Sequence, residues 1–140
     1  MVDGYPIYFR GFRILNAVIE YMLENGMQNA ERVILTGCSA GGLATYYHID
    51  YVKSLLPSSI IFLGLADAGY FINAPNINGQ YHMKELIEYA FQIQNTTFGE
   101  NHECLKHHKD NQSLCLQPQF VYPYISTPVS YTHLTLPTKA

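Results

Sequence analysis

Polar residues near the start of the chain recur every three or four positions, which is the period of an α-helix. The positions between them are almost all apolar, and Gly26 follows them as a helix stop. The pattern predicts a mostly buried helix over residues 13–25 with one solvated edge. The polar residues on that edge are Arg13, Asn16, Glu20 and Glu24.

Two short apolar runs, residues 32–36 and 60–66, are typical of buried strands in a parallel sheet because they are rich in β-branched residues. Residues 43–56 between them contain no helix breaker and are followed by Pro57, so a second helix is predicted there. The order helix, strand, tight turn, helix, strand predicts an α/β fold with a parallel sheet flanked by helices.

The chain changes character after the second predicted strand. Residues 67–79 are rich in Gly, Asn and Pro, which predicts a loop. Residues 80–93 place their apolar side chains on one helical face, so a third, amphipathic helix is predicted. Residues 96–118 are polar, rich in His and Asn, and only weakly periodic.

Composition excludes several classes of protein. Of the 140 residues, 48% are apolar and 14% are charged, which is typical of a packed domain and not of a disordered chain. The net charge of −3 includes no basic stripe, so neither nucleic acid nor an anionic membrane surface is predicted as a partner. The longest apolar run, residues 60–66, is far shorter than a membrane-spanning helix.

Residues 37–41, with the sequence GCSAG, match the Gly-x-Ser-x-Gly pattern of a nucleophile elbow. In an elbow a strand turns sharply into a helix, and glycines let the two backbones approach without a Cβ clash. We expect the Ser39 hydroxyl at the carboxyl end of the sheet and the Ala40 N–H at a helix N-terminus, where it can bind an oxyanion. The elbow glycines are Gly37, Gly41 and Gly42.

Other interpretations of these residues stay open. A glycine-rich turn between a strand and a helix can bind phosphate, although this chain has neither a P-loop lysine nor dinucleotide-binding spacing. Cys38 is more typical of a small buried hydrophobe than of a nucleophile. His107 and His108, near two cysteines, fit no strong zinc-ligand spacing, so no metal site is predicted.

The sequence gives two conflicting indications of the cellular compartment. The N-terminus has no basic start and no apolar core of the kind that a secretory signal needs, which at face value indicates a cytosolic protein. Asn95 and Asn111, however, both begin N-glycosylation sequons, and Asn111 lies in a polar segment between Cys104 and Cys115. A disulfide-closed loop in an oxidising compartment would suit that segment.

Several segments together form a recognisable family pattern. Over residues 8–129 the chain resembles the pectin acetylesterase family, which also includes the Notum carboxylesterases. One departure is Ile49, at a position where plant-type members usually carry a cysteine. The segments that carry the resemblance are residues 8–11 (YFRG), 37–45 (GCSAGGLAT), 48–50 (HID), 65–71 (LADAGYF) and 115–119 (CLQPQ).

The resemblance implies an α/β-hydrolase-like fold with a Ser, Asp, His triad in that chain order and no cofactor. Ser39 matches the nucleophile, while the matching aspartate and histidine are expected after residue 129 and are absent from this chain. A second oxyanion loop is expected before Tyr8, so the chain corresponds to the middle of a catalytic domain, incomplete at both ends. Cys104 and Cys115 match the loop cysteines of the family, which implies that they pair.

Asp67 and the six histidines of the chain are the candidate substitutes for the missing triad partners. Asp67 follows the second strand, but the family uses a later aspartate, so Asp67 is interpreted as structural. His48 lies too far along the elbow helix to reach Ser39. His107 and His108 are typical of solvated loop residues. The remaining candidates are His82, His102 and His133.

Residues 130–140 depart abruptly from the family pattern and resemble a translated sequencing adapter. We therefore interpret residues 1–129 as the central fragment of one catalytic domain and residues 130–140 as a non-native tail.

The resemblance predicts that the parent protein is a secreted cell-wall glycoprotein, a serine carboxylesterase whose substrate is the O-acetyl ester of pectin. A Notum-type carboxylesterase that removes a lipid from a protein is the alternative within enzymes. A non-catalytic truncated product, or a binding module on a hydrolase scaffold, is the alternative from another class. The 140-residue chain by itself is predicted to be inactive.

Overall fold

The computed structural model describes residues 5–135, with side chains described as far as residue 132. Three strands and five helices follow one another along this part of the chain, with short 3₁₀ turns in the connections. The helices are α1 (Gly11–Glu24), α2 (Ala40–Leu55), α3 (His82–Gln94), α4 (His102–His107) and α5 (Pro118–Val121). The strands are β1 (Arg32–Cys38), β2 (Ile61–Phe71) and β3 (Val129–Thr135).

The strands form one parallel sheet in the order β1-β2-β3. Arg32 pairs with Ile61 and Cys38 with Asp67, so the two strands start level and β2 continues past the end of β1. Because a parallel connection must cross over the sheet, α2 lies against the strands that it joins. The predicted α/β class with a parallel sheet is confirmed.

Strand β2 is longer than its sequence pattern predicts. It continues to Phe71, through residues that were expected to begin a loop. The pairing register with β3 shifts between Asp67 and Tyr70, and Ala68 has a φ of 46° there. The predicted loop therefore starts too early, at residue 67, because a β-bulge absorbs the irregular residues and lets the strand go on. Residues 72–79 form neither helix nor strand, as predicted.

The core lies between the sheet and one layer of helices. Ile49 and Val52 of α2 are fully buried with Ile19 of α1 and Phe62 of β2. The Cδ1 atom of Ile49 occupies the space beside Gly64, where an added Cβ would lie 2.2 Å from it. Ile49, the departure from the pattern of plant-type members, is therefore a packed core residue in this chain.

The opposite face of the sheet is exposed in the described part of the chain. Ile34 is 58% exposed and Ile61 is 53% exposed, although both were predicted to be buried. Both α1 and α2 pack on the other face, so the apolar strand pattern is only half satisfied here.

Helix α1 is also less buried than predicted. Leu15, Ile19 and Leu23 contact the core, whereas Ile14 is 60% exposed and Val18 is 46% exposed. Its polar stripe and its apolar outer face both lie towards solvent, which corrects the prediction of a single solvated edge.

The polar segment before β3 folds around a disulfide. Cys104 and Cys115 are bonded, with their Cα atoms 5.9 Å apart, and both are fully buried. Asn101 caps α4 by accepting hydrogen bonds from the backbone N–H groups of Glu103 and Cys104, each at 3.1 Å. A side-chain cap and a covalent bond thus order a region whose weak periodicity predicted no regular element.

Strand β3 crosses the boundary expected at residue 129. The backbone of residues 130–135 pairs with β2, so these residues are part of the sheet and not a separate tail in this structure. Their foreign origin stays a prediction, and residues 136–140 lie outside the described part of the chain. Among the described residues, no helix combines the length and the apolar character needed to cross a bilayer.

Candidate active site

Ser39 lies at the turn between β1 and α2. Its φ of 54° and ψ of −117° place a non-glycine residue in a strained region of backbone space. The turn is held because the Ser39 N–H donates to the Asp67 carbonyl at 2.9 Å and the Leu43 N–H donates to the Ser39 carbonyl at 3.0 Å. This is the strand–turn–helix geometry that a nucleophile elbow requires.

Three glycines allow the close backbone contacts under this turn. A Cβ on Gly37 would lie 2.4 Å from the Gly41 carbonyl carbon, and one on Gly42 would lie 2.6 Å from the Asp67 carbonyl oxygen. A Cβ on Gly69 would lie 2.4 Å from the Gly42 carbonyl carbon. Sequence reasoning missed the steric role of Gly69, although a glycine inside a strand can indicate that another backbone approaches closely. Gly41, by contrast, has open space at its Cβ position.

The side of the elbow that would meet a substrate is open to solvent. Ser39 and Ala40 are both exposed. Ala40 is the first residue of α2, so its N–H has no carbonyl acceptor within the helix and can bind an anion. No residue with a described side chain makes a hydrogen bond with the Ser39 hydroxyl.

Asp67 connects the three strands beside the elbow. Its carboxylate accepts a hydrogen bond from the Thr132 hydroxyl of β3. Three effects raise the pKa of the Cys38 thiol. The largest is a hydrogen bond with the Asp67 side chain, and desolvation and the negative charge of Asp67 add to it. Cys38 is exposed, not buried as small hydrophobic cysteines usually are. These contacts are consistent with a structural role for Asp67, which stays a prediction.

None of the five histidines with described side chains makes a hydrogen bond with Ser39. His48 is half-buried, with Nδ1 3.1 Å from the Gly99 carbonyl oxygen. Burial lowers the pKa of His48, and the contact with Gly99 partly opposes that change. His82 is exposed and pairs with Glu85 at 3.5 Å. The others, His102, His107 and His108, lie on or directly after α4, and the side chain of His133 lies outside the described set.

A cleft of about 460 Å³ extends from the elbow between α2 and α3. Ala40 and His48 both line it, and the helical rise between them sets a length of about 12 Å. The few polar lining residues include Tyr47, Thr96 and Glu100. Its apolar walls are formed by Leu43, Phe71, Met83, Leu86, Ile87 and Ala90.

Glu100 is a buried carboxyl in this cleft, and no feature of the sequence predicted it. The residue is 5% exposed. Its Oε1 accepts a hydrogen bond from the Thr96 hydroxyl, whereas its Oε2 is buried and has no partner. Burial raises the pKa of Glu100 to about 7, against a lowering by the Thr96 hydrogen bond. The carboxyl therefore changes charge near neutral pH.

This raised pKa predicts how Glu100→Gln changes stability. The native state holds the proton more tightly than the unfolded chain, so the free energy of unfolding of the wild type falls as pH rises from about 4.5 to about 7. Glutamine carries no charge to desolvate. We expect Glu100→Gln to be more stable than the wild type at pH 8, by about 3 kcal/mol, and equal to it at pH 4.

Urea unfolding across pH 4–8 measures this difference, with the exposed Glu24→Gln as the matched control. A stability difference that stays constant with pH would contradict the raised pKa.

The predicted glycosylation sites lie on the surface. Asn95 ends α3 with a φ of 50° and is exposed. Asn111 is also exposed, and its Oδ1 accepts a hydrogen bond from the Ser113 hydroxyl at 2.7 Å. Attachment of sugar to either residue stays a prediction. Among the described residues, no three or more His, Cys, Asp or Glu side chains group as metal ligands do.

A parallel sheet whose strand enters a helix through a strained, exposed serine defines an α/β-hydrolase-like protein. The solved structure of the Wnt deacylase Notum from Drosophila has this fold, with a TM-score of 0.79 and 22% identity. It aligns with 94% of this chain and 39% of its own. The family model for pectinacetylesterase matches residues 3–132, and this chain belongs to that family.

Two relatives show the range of the family. Pectin acetylesterase 5 of Arabidopsis thaliana is 34% identical over 148 residues, which is 99% of this chain and 34% of the relative. Palmitoleoyl-protein carboxylesterase notum2 of Xenopus laevis is 38% identical over 76 residues, 51% of this chain and 15% of the relative. The chain thus spans about a third of the length of the pectin acetylesterase relative.

Proposed function

We propose that this chain carries the nucleophile of a serine carboxylesterase that removes O-acetyl groups from pectin. The observation that carries the proposal is the strained and exposed Ser39 beside the unpaired N–H of Ala40. The family match and the Arabidopsis relative, whose name gives pectin as its substrate, support the choice of ester.

In the proposed reaction the Ser39 oxygen attacks the acetyl carbonyl carbon and gives its proton to a histidine base. The carbonyl oxygen becomes an oxyanion that the Ala40 N–H stabilises. Collapse expels the sugar hydroxyl, which takes the proton from the base, and water then hydrolyses the acetyl-serine. The base and its orienting aspartate are proposed to follow residue 129, since no histidine with a described side chain is hydrogen-bonded to Ser39.

The substrate, the location and the modification of the protein are inferred from the same family assignment. We infer an extracellular enzyme that acts on an acetylated wall polysaccharide and carries sugars on Asn95 and Asn111. The disulfide between Cys104 and Cys115 supports this location, because such bonds persist in oxidising compartments.

The apolar walls of the cleft favour a second candidate, a carboxylesterase that removes a longer acyl chain, as the Notum relatives are named for doing. An alkyl chain gains free energy from such walls in proportion to the apolar area it buries. The buried carboxyl of Glu100 opposes this candidate, because an alkyl chain would leave its Oε2 desolvated and unpaired.

The test is a chimaera in which this chain replaces the matching segment of the Arabidopsis relative, supplied with acetylated pectin and, separately, with a palmitoleoyl peptide. We expect acetate release from pectin by the chimaera, no release above background by its Ser39→Ala variant, and none by the isolated chain. Acetate release that survives Ser39→Ala contradicts the proposed nucleophile. Preferential release of palmitoleate selects the second candidate.

The isolated chain provides a further check. Turnover of p-nitrophenyl acetate by the 140 residues that disappears in Ser39→Ala would show that the chain completes its own triad. A folded chimaera that is inactive on both esters favours a non-catalytic binding module.

A further inference from the structure

The far end of the cleft holds a carboxylate oxygen that the protein leaves without a partner. Glu100 is 5% exposed, and its Oε1 is engaged by the Thr96 hydroxyl. Its Oε2 is buried and has no hydrogen-bond partner. A buried polar atom without a partner costs free energy, and a rotation of the Glu100 side chain towards the cleft would let Oε2 meet a bound donor.

Glu100 lies at the opposite end of the cleft from the elbow. The carbonyl oxygen of Gly99, which precedes Glu100, lies 3.1 Å from Nδ1 of His48. His48 is eight residues along α2 from Ala40, which corresponds to about 12 Å of helix. A group held at Ala40 must therefore extend along α2 to reach Glu100.

Two neighbouring polar groups already have partners in the protein. The Tyr47 hydroxyl donates to the Leu116 carbonyl oxygen, and Nδ1 of His48 contacts Gly99. The lining residues of α3 are apolar except for Gln94, and none is charged. Among the lining residues, Glu100 is thus the one carboxylate that a ligand would meet.

We propose that Glu100 is a specificity-determining residue whose Oε2 accepts a hydrogen bond from a hydroxyl group of a substrate lying along α2 from Ala40. The apolar walls contact the carbon skeleton of that substrate, and the carboxylate selects its hydroxyl. A sugar unit of a polysaccharide satisfies both requirements, whereas an unsubstituted alkyl chain satisfies only the first. The identification of the occupant as substrate rests on the proposed function.

Two isomeric probes test the hydrogen bond directly. Octan-1-ol and 1-methoxyheptane have the same atoms, but only the alcohol has a hydroxyl donor. Dissociation constants are measured by NMR titration of the Ser39→Ala chain at pH 8.5, where Glu100 is ionised, with the amides of Ala40 and Ala90 reporting occupation of the cleft. We expect the alcohol to bind about tenfold tighter, since a hydrogen bond to a charged group contributes that order of affinity.

Two variants locate the preference. Glu100→Leu should abolish it, and Glu85→Leu, at an exposed position outside the cleft lining, should keep it. Equal binding of the two isomers to the Ser39→Ala chain overturns the proposal, as does a preference that survives Glu100→Leu or binding of neither probe. Because the wild-type comparison stands without a variant at Glu100, a folding defect in Glu100→Leu leaves the proposal testable.

The result is separable from the proposed function. The probes are not esters and the chain carries no nucleophile, so the preference for the alcohol does not depend on hydrolysis. Acetate release that fails while the preference is found would overturn the esterase proposal and leave a hydroxyl-selective cleft.

Discussion

Gly42→Ala is expected to destabilise the protein by about 3 kcal/mol or more, whereas Gly41→Ala, one residue earlier, should leave it as stable or slightly more stable. A Cβ at Gly42 would lie 2.6 Å from the Asp67 carbonyl oxygen and 2.9 Å from the Gly69 Cα. Both are backbone atoms, so relief requires α2 and β2 to separate. Overpacking that flexible side chains can absorb already costs about 1–3 kcal/mol.

Gly41 is the matched control, because it lies on the same helix and nothing is within 4 Å of its Cβ position. Alanine there should gain up to about 1 kcal/mol of helix propensity. Urea unfolding of the two variants measures the contrast. Equal stability of Gly41→Ala and Gly42→Ala would mean that α2 does not lie against β2 as described.

The same contrast refines the meaning of the elbow motif. The pattern Gly-x-Ser-x-Gly includes Gly41, yet the steric requirement lies on Gly37, Gly42 and Gly69. A motif gives residue spacing along one chain, whereas the clash at Gly69 depends on which strand carbonyls and helix residues come together. Sequence reasoning could therefore predict the turn but not every residue that the turn needs.

The fold class was predictable from the apolar pattern, because a parallel strand that enters a helix has a local signature in residues 32–43. Burial was not. Ile34 is 58% exposed although its run reads as a core strand, since what covers a strand is decided by distant parts of the chain. A segment that spans a third of its relatives carries apolar patterns whose partners it need not contain.

The buried carboxyl of Glu100 had no signal in the sequence either. It follows a sequon and precedes a helix cap, and both neighbours are typical of surface loops. Its burial arises because the 3₁₀ turn at Thr96–Gly99 carries it back against α2, where Gly99 contacts His48. Only the tertiary arrangement shows that this glutamate lines the cleft.

Asp50 of α2 binds the segment that leads into β3. Its replacement is expected to have a second large effect on stability, comparable with that of Gly42→Ala. Its carboxylate accepts hydrogen bonds from the backbone N–H groups of Ser126 and Thr127, each at 2.9 Å. The two hydroxyls donate to it as well, at 3.0 Å and 2.7 Å, and Asn101 Nδ2 lies 3.3 Å away. The next residue, Pro128, accepts from the Gly64 N–H of β2, so this contact sets where β3 begins.

Asp50→Asn should lower the free energy of unfolding by about 3 kcal/mol at pH 7, because an amide cannot accept from all these donors and leaves some of them unpaired.

Partial burial raises the pKa of Asp50, but the hydrogen bonds from Ser126 and Thr127 outweigh it and the net pKa is lowered. A lowered pKa stabilises the native state above the ordinary pKa of aspartate, and this contribution disappears as pH falls through the folded pKa. The difference between Asp50→Asn and the wild type should therefore shrink below about pH 4, and Asp110→Asn, at an exposed position, is the control variant. A deficit that is as large at pH 3 as at pH 7 would mean that Asp50 stabilises β3 by shape and not by charge.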